Sequence, residues 1–438
     1  MSITTRELTL LDALMLNIGV MLAAALFVIP GVVISNTGTA WLSALAWLTA
    51  GAITWCGAAT FSELGARYPQ AGGPYVFLGQ AYSPLWGFLF GWTLLVVIQP
   101  ASIAALAIAG MTYAGALTPL SPVITTGGAV ALILGLSIWN AAGLRRSAAI
   151  QSVLTVVKLV LLTMIVVGFF WYGGDGMATF RAPFPDATLT RTVAGFGAAV
   201  AAALWAFSGW TGVTLVGGEL RNPSVTLPRA MSYSVIATTV LALLLTSGVL
   251  WALPPIAAFD SQRIVADAAT HVFGSVGSLV VTLAVIASCL AAVNGLLFSG
   301  ARVTYALARD GLFVNWTATV NEQKVPGNAL LLQGIWASFL TLTGRYEQLF
   351  TYVVVAVWLF YMLGAFAVVI LRYRHQNDSR PHEVAGYPYI PVIFGTVAWA
   401  LVLQTLWSHP WDAIIGTSLV LTGIPVFWYW SRRTNRDV

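Results

Sequence analysis

Residues 13–62 contain no Asp, Glu, Lys, Arg or His, and neither do residues 68–144. Few folds can use such stretches. A membrane helix needs about 20 apolar residues, so the first stretch holds two spans and the second, 77 residues long, holds two more. Eight further runs follow: 147–172 (broken only by Lys158), 192–218, 230–259, 272–301, 325–344, 348–371, 384–408 and 413–431. The runs predict twelve transmembrane helices in an all-α integral membrane protein. Strands of a membrane barrel would alternate in segments of about ten residues, and nothing here alternates. Composition agrees, with 58% apolar and 8% charged residues against roughly 25% charged in soluble domains. A chain this apolar is not disordered either.

Orientation follows from Lys and Arg placement. With a cytoplasmic amino terminus, fifteen basic residues fall inside: Arg6, Arg67, Arg145, Arg146, Arg221, Arg229, Arg302, Arg309, Lys324, Arg372, Arg374, Arg380, Arg432, Arg433 and Arg436. Four fall outside: Arg181, Arg191, Arg263 and Arg345. Both termini are expected in the cytoplasm of a multi-pass plasma (inner) membrane protein. The net charge of +5 expresses this bias and does not indicate nucleic-acid binding. The run from Ala13 reads as the first span rather than the short core of a cleavable signal. Tryptophans at span ends, among them Trp41, Trp171, Trp251, Trp407, Trp411, Trp428 and Trp430, form an interfacial belt.

An enzyme is not expected. His271, His375, His382 and His409 lie in loops or at their edges, far apart in sequence, and no HExxH or Ser-His constellation sits at helix depth. Cys56 and Cys289 lie inside apolar runs, which excludes a disulfide framework and a thiolate metal site. No cofactor is expected.

Secondary transporters bind substrate near the midplane on helices interrupted by Gly or Pro. Span 6 has such a passage: Phe207-Ser208-Gly209-Trp210, then Gly212 and Gly217-Gly218. Each Gly costs roughly 1 kcal/mol of helix stability relative to Ala. Small residues for close helix packing are the alternative explanation. Phe207 and Trp210 flank the passage as candidate gating side chains. Span 1, its expected partner, runs from Asn17 through Ala23-Ala24-Ala25 to Phe27 and Pro30-Gly31. Alanine is the best helix former, so propensity alone predicts that this stretch stays wound.

Lys158 stands alone at mid-depth in span 5. A charge there costs at least about 2.5 to 3.5 kcal/mol, and no carboxylate shares its depth. Backbone carbonyls of a broken helix are its natural partners. A proton carrier, a fixed cation and a purely structural tie between two helices all remain open for it.

The loops carry a family likeness. Glu63-Leu64-Gly65-Ala66-Arg67-Tyr68-Pro69 with Ala71-Gly72-Gly73-Pro74-Tyr75, and Gly217-Gly218-Glu219-Leu220-Arg221-Asn222-Pro223 with Leu227-Pro228-Arg229-Ala230, resemble segments of amino acid/polyamine/organocation permeases. So do Ser299-Gly300-Ala301-Arg302-Val303 and Ala308-Arg309-Asp310-Gly311-Leu312-Phe313. Leu371-Arg372-Tyr373-Arg374, Arg380-Pro381 and Gly386-Tyr387-Pro388 point to the L-type amino acid transporter branch. The whole is similar to bacterial serine/threonine exchangers.

The resemblance implies a leucine-transporter-like fold in one transmembrane domain, 1–438. Residues 9–172 would form one inverted repeat of five helices and 191–374 the other, with helices 11 and 12 over 388–431 appended. It also implies substrate contacts from Gly19, Ala23, Ala24, Ala25, Phe207, Ser208 and Gly209, the carboxylate on helix 1 N–H groups and the ammonium on helix 6 carbonyls. Lys158 matches the helix 5 lysine that stands where sodium sits in sodium-driven relatives, a coupling role. One departure is plain: the family's Gly-Ser-Gly is Ala23-Ala24-Ala25 here.

The function expected is sodium-independent exchange of small neutral L-amino acids by alternating access. An amine or polyamine carrier is the first alternative, and a transport-inactive scaffold or receptor the second. Eukaryotic L-type relatives join a single-span glycoprotein through an external cysteine. Neither cysteine here falls in an outer loop, so no disulfide-linked subunit and a monomer are expected.

Overall fold

A bilayer offers no water to the backbone, so a spanning segment must satisfy its own N–H and C=O groups. Among the described residues the chain does so with helices. The computed structural model describes residues 6–174, 189–254, 261, 263–344 and 346–434. Of the basic residues that set orientation, Arg181, Arg345 and Arg436 lie outside the described residues. Among those described, the β pairing is a single parallel bridge between Leu8 and Leu220.

In order the helices are α1 (Leu10–Met21), α2 (Ile29–Thr37), α3 (Ala40–Arg67), α4 (Pro74–Ala81), α5 (Pro84–Ala114), α6 (Pro122–Ala141), α7 (Leu144–Tyr172) and α8 (Leu189–Ala206). Then come α9 (Gly212–Leu215), α10 (Pro223–Ala252), α11 (Ile264–Arg309), α12 (Gly327–Thr343), α13 (Tyr346–Arg374), α14 (Tyr389–Ser408), α15 (Pro410–Leu421) and α16 (Gly423–Thr434). Among the described residues, nine stretches are long and apolar enough to cross a membrane. Fewer than twelve qualify because α1 and α2 are the two short pieces of one interrupted stretch, α8 ends at a second interruption, and α12 has only 17 residues.

The ends and bends have local causes. Thr9 caps α1 in a reciprocal box: its Oγ1 accepts from Asp12 N, and its own N–H donates to the Asp12 carboxylate at 2.8 Å, which satisfies two donors that a helix start leaves open. Within α5 a π turn over Leu94–Ile98 precedes Pro100. Proline has no N–H for the carbonyl four residues back, and Trp336 Nε1 of α12 takes that Val96 oxygen at 2.8 Å. In α11 two helical pieces meet at Gly274, whose φ of 60° suits only a residue without Cβ.

Packing places α1 at the centre. It contacts α7, α10 and α11, while α2 lies against α8 and α3 against α10. Close approach to α7 depends on Gly19, where a Cβ would fall 1.9 Å from Gln151 Nε2. Buried polar bonds tie α1, α6, α7 and α11: Asn140 Nδ2 donates to Asn294 Oδ1 at 2.8 Å, Asn294 Nδ2 to Gln151 Oε1 at 2.7 Å, and Thr155 Oγ1 to the Met15 carbonyl at 3.0 Å. Cys56 lies within α3 and Cys289 within α11.

Candidate functional site

The alanine triplet does not stay wound. Helix α1 stops at Met21, Ala23 is extended (φ −74°, ψ −168°), and a 3-10 turn over Ala24–Phe27 leads into α2. Two causes overrule propensity. Pro30 sits in the first turn of α2, where it cannot donate to Leu26 and would clash with that carbonyl in a continuous helix. Lys158 supplies the other. Its Nζ donates to the Gly19 carbonyl at 2.7 Å and the Leu22 carbonyl at 3.0 Å. In an unbroken helix those oxygens would accept from Ala23 and Leu26. The ammonium takes them with charge-assisted bonds, about twice as strong as neutral ones, and Leu26 N turns to the Ala23 carbonyl at 3.2 Å instead. The fully buried lysine thereby receives the carbonyl partners its depth requires.

The opened turn leaves donors over. The first N–H groups of a helical turn have no partner within it. Among the described residues no acceptor takes the N–H of Ala23, Ala24 or Ala25, and all three residues are only half-buried. Backbone donors without acceptors, at the start of a turn whose dipole is positive there, suit an anion.

Across from this turn the chain between α8 and α9 is also unwound, from Phe207 to Thr211. Gly209 adopts φ 98°, and a Cβ on it would fall 2.3 Å from Val20 Cγ1, so both conformation and close approach call for glycine. Among the described residues no donor reaches the carbonyls of Phe207 or Ser208. Ser208 is exposed and Gly209 half-buried. Unfilled carbonyls suit a cation such as an ammonium group. The two interruptions thus leave N–H groups without acceptors at Ala23–Ala25 and carbonyls without donors at Phe207 and Ser208.

Not every residue nominated from sequence lies at this opening. Gly19 lies one turn below it, its carbonyl occupied by Lys158 and its Cα face against Gln151 and Thr155. Phe207 is fully buried, its ring edge-on to Trp47 at 6.2 Å. Trp210 is 3% exposed and packs on Phe61, Tyr361 and Phe394, with ring centroids 5.0 to 5.7 Å away. Neither ring borders open space, because Phe207 packs on Trp47 and Trp210 fills the cluster of Phe61, Tyr361 and Phe394. Between residues 205 and 210 the exposed aromatic surface belongs to Trp205, which was not singled out from sequence.

Burial differs on the two sides of the break. Every residue from Asn17 to Leu22 is buried, whereas Val28 and Val32 of the α2 side are exposed. The end bearing Leu8 is closed by ion pairs. Arg302 Nε and Nη2 grip both Glu219 oxygens at 3.1 and 3.0 Å with each side chain 1% exposed, and its guanidinium lies 4.1 Å over the Phe298 ring. Leu8 N donates to the Glu219 carbonyl, and the Leu8 carbonyl accepts from Arg221 N, both at 2.9 Å. Glu63 is held in a second fork by Arg372 at 2.7 and 2.6 Å, with Val384 N donating to it as well. Tyr75 donates to the Asp310 carboxylate at 2.7 Å. Burial, then that carboxylate, raise its phenol well above the usual range, which keeps the donor proton in place.

Arg302, Glu219 and Glu63 read from sequence as loop charges, yet Lys158 shares burial with all three. Their place in the loop motifs was the available signal. Asn17, Asn140 and Asn294 had none, since a single amide in an apolar run has no local pattern.

Known sequences are similar to this one along nearly its whole length. A family profile described as amino acid permease matches residues 8–430. The chain is 29% identical over 440 residues to the serine/threonine exchanger SteT of Bacillus subtilis, covering 98% of this chain and 97% of that one. It is 28% identical over 450 residues to the b(0,+)-type amino acid transporter 1 of Mus musculus, covering 99% and 91%. To the large neutral amino acids transporter small subunit 2 of Mus musculus it is 27% identical over 450 residues, covering 98% and 82%.

Proposed function

The chain belongs to the amino acid permease family, and on that basis we propose that it is a sodium-independent exchanger of small neutral L-amino acids working by alternating access. The observation that carries the reading is the Lys158 ammonium on the Gly19 and Leu22 carbonyls. It fills carbonyls that an alkali cation would otherwise use, and it opens the helix at Ala23–Ala25. In this reading the substrate carboxylate rests on the Ala23, Ala24 and Ala25 N–H groups and the ammonium on the Phe207 and Ser208 carbonyls.

Twelve spans follow when α1 with α2, α8 with α9, and α12 are taken together with the nine long stretches. Residues 9–172 and 191–374 then form the inverted repeats, and α14 to α16 the two appended helices. With the amino terminus cytoplasmic, the end closed by Leu8 and Arg302 is the inner one and the site opens outward. A monomer is favoured, and the positions of both cysteines inside helices support a chain without a disulfide-linked subunit. A polyamine would need carboxylates, and the buried Glu219 and Glu63 are already engaged by arginines. The scaffold reading loses its one support, the triplet, since the helix is broken there.

The test is counterflow in proteoliposomes with a panel of labelled amino acids and amines. Uptake of neutral amino acids that requires internal amino acid, without sodium, is expected. Uptake of putrescine or agmatine alone, or of nothing, overturns the reading. A second expectation concerns the triplet. Ala23→Gly, Ala24→Ser and Ala25→Gly together remove two methyls from the binding turn and add a hydroxyl, which should lower the apparent KM about threefold to tenfold. An unchanged or higher KM would show that the alanines do not crowd the substrate.

A further inference from the structure

The unwound segment between α8 and α9 has backbone groups that no helix satisfies, and one side chain from α1 takes two of them. Asn17 Nδ2 donates to the Trp210 carbonyl at 2.9 Å, and Asn17 Oδ1 accepts from Val213 N at 3.0 Å. The same Nδ2 donates to Ser234 Oγ of α10 at 3.3 Å. Asn17 is fully buried and stands two residues before Gly19, whose carbonyl holds Lys158.

A side-chain amide carries the same donor and acceptor as a peptide group. Asn17 therefore acts as a neighbouring peptide would, spanning the residues that end one helix and begin the next. An apolar residue here would leave the Trp210 carbonyl and the Val213 N–H buried without partners, which is costly for each. Trp210 is thus held twice, by its ring in the aromatic cluster and by its carbonyl on Asn17. The unfilled carbonyls of Phe207 and Ser208 lie just before it, across Gly209. Where they point depends on how Trp210 is fixed.

We propose that Asn17 is a positioning residue for the ammonium half of the site, locking the unwound segment to α1 so that the Phe207 and Ser208 carbonyls face the bound amino group. The proposal rests on the amino acid exchange reading above. It predicts an effect on one end of the substrate only. The carboxylate end is held by the α1–α2 turn, which Lys158 keeps open without help from Asn17.

The experiment measures how strongly alanine and propionate, its counterpart without the amino group, inhibit counterflow in the parent chain, Asn17→Leu and Asn17→Asp. Leucine removes both bonds, and aspartate keeps the side-chain size while setting an oxygen against the Trp210 carbonyl. In the parent, alanine should inhibit far more strongly than propionate. In either variant that preference should fall about tenfold or more, with propionate inhibition little changed. Should the leucine variant not fold, the aspartate variant gives the same readout. A lower melting temperature with an unchanged alanine-to-propionate preference means Asn17 only stabilises the fold, and overturns the proposal. A parent that carries no amino acid overturns the exchange reading itself, and this one with it.

Discussion

Lys158→Ala is expected to reduce counterflow about hundredfold or more while leaving a folded protein in the membrane. Loss of the ammonium frees the Gly19 and Leu22 carbonyls, and an unsatisfied buried acceptor costs about 1–3 kcal/mol. The inexpensive remedy is to rewind α1, so that those oxygens accept from Ala23 and Leu26 and the donors proposed for the substrate carboxylate disappear. Three alanines make that rewinding easier, by about 1 kcal/mol for each one that replaces a glycine. The damage should therefore be smaller in a chain that also carries Ala23→Gly, Ala24→Ser and Ala25→Gly. Counterflow in all four chains measures the coupling. Parental flux in Lys158→Ala would reduce the lysine to a structural tie.

The second large effect belongs to the buried pair of Arg302 and Glu219. Each side chain is 1% exposed, and removing one partner strands the other charge. Arg302→Met or Glu219→Leu alone should destabilise the protein by about 3–5 kcal/mol, read as a lower thermal midpoint in detergent. The double variant should recover most of that loss, because apolar residues of similar volume replace a buried ion pair at little cost. A single variant that melts with the parent would contradict the burial described here. Exchange by the double variant carries separate information. The pair holds the Leu8–Leu220 pairing in place, so a stable chain without it should leak or exchange without tight coupling if that end is the inner gate.

The two broken helices differed in how openly the sequence announced them. At Ser208-Gly209 a glycine and a polar residue sit in an apolar run, and the chain unwinds where they stand. At Ala23–Ala25 local propensity points the wrong way. The one local clue was Pro30, which lies downstream of the break and reads equally well as the start of a new helix. Phe207 and Trp210 were legible as aromatics beside a break, but which way a ring turns depends on Trp47, Phe61, Tyr361 and Phe394. These belong to other helices.

The sequence by itself determined that the chain lives in lipid, spans it with helices, and places one cation, Lys158, at a depth where it must find partners. Charge-free length and the cost of burying an ion decide those matters, and both are properties of a single stretch of chain. Only the tertiary structure decided where α1 opens, which amides cross-link the breaks, and which loop charges become buried pairs. Each of these is a contest between a residue's own helix and a group more than 80 positions away in the chain: Lys158 with Gly19, Asn17 with Trp210, Arg302 with Glu219. Local propensity among alanine and glycine is worth up to about 1 kcal/mol per residue, and a hydrogen bond to a charged group about 1.5–3 kcal/mol.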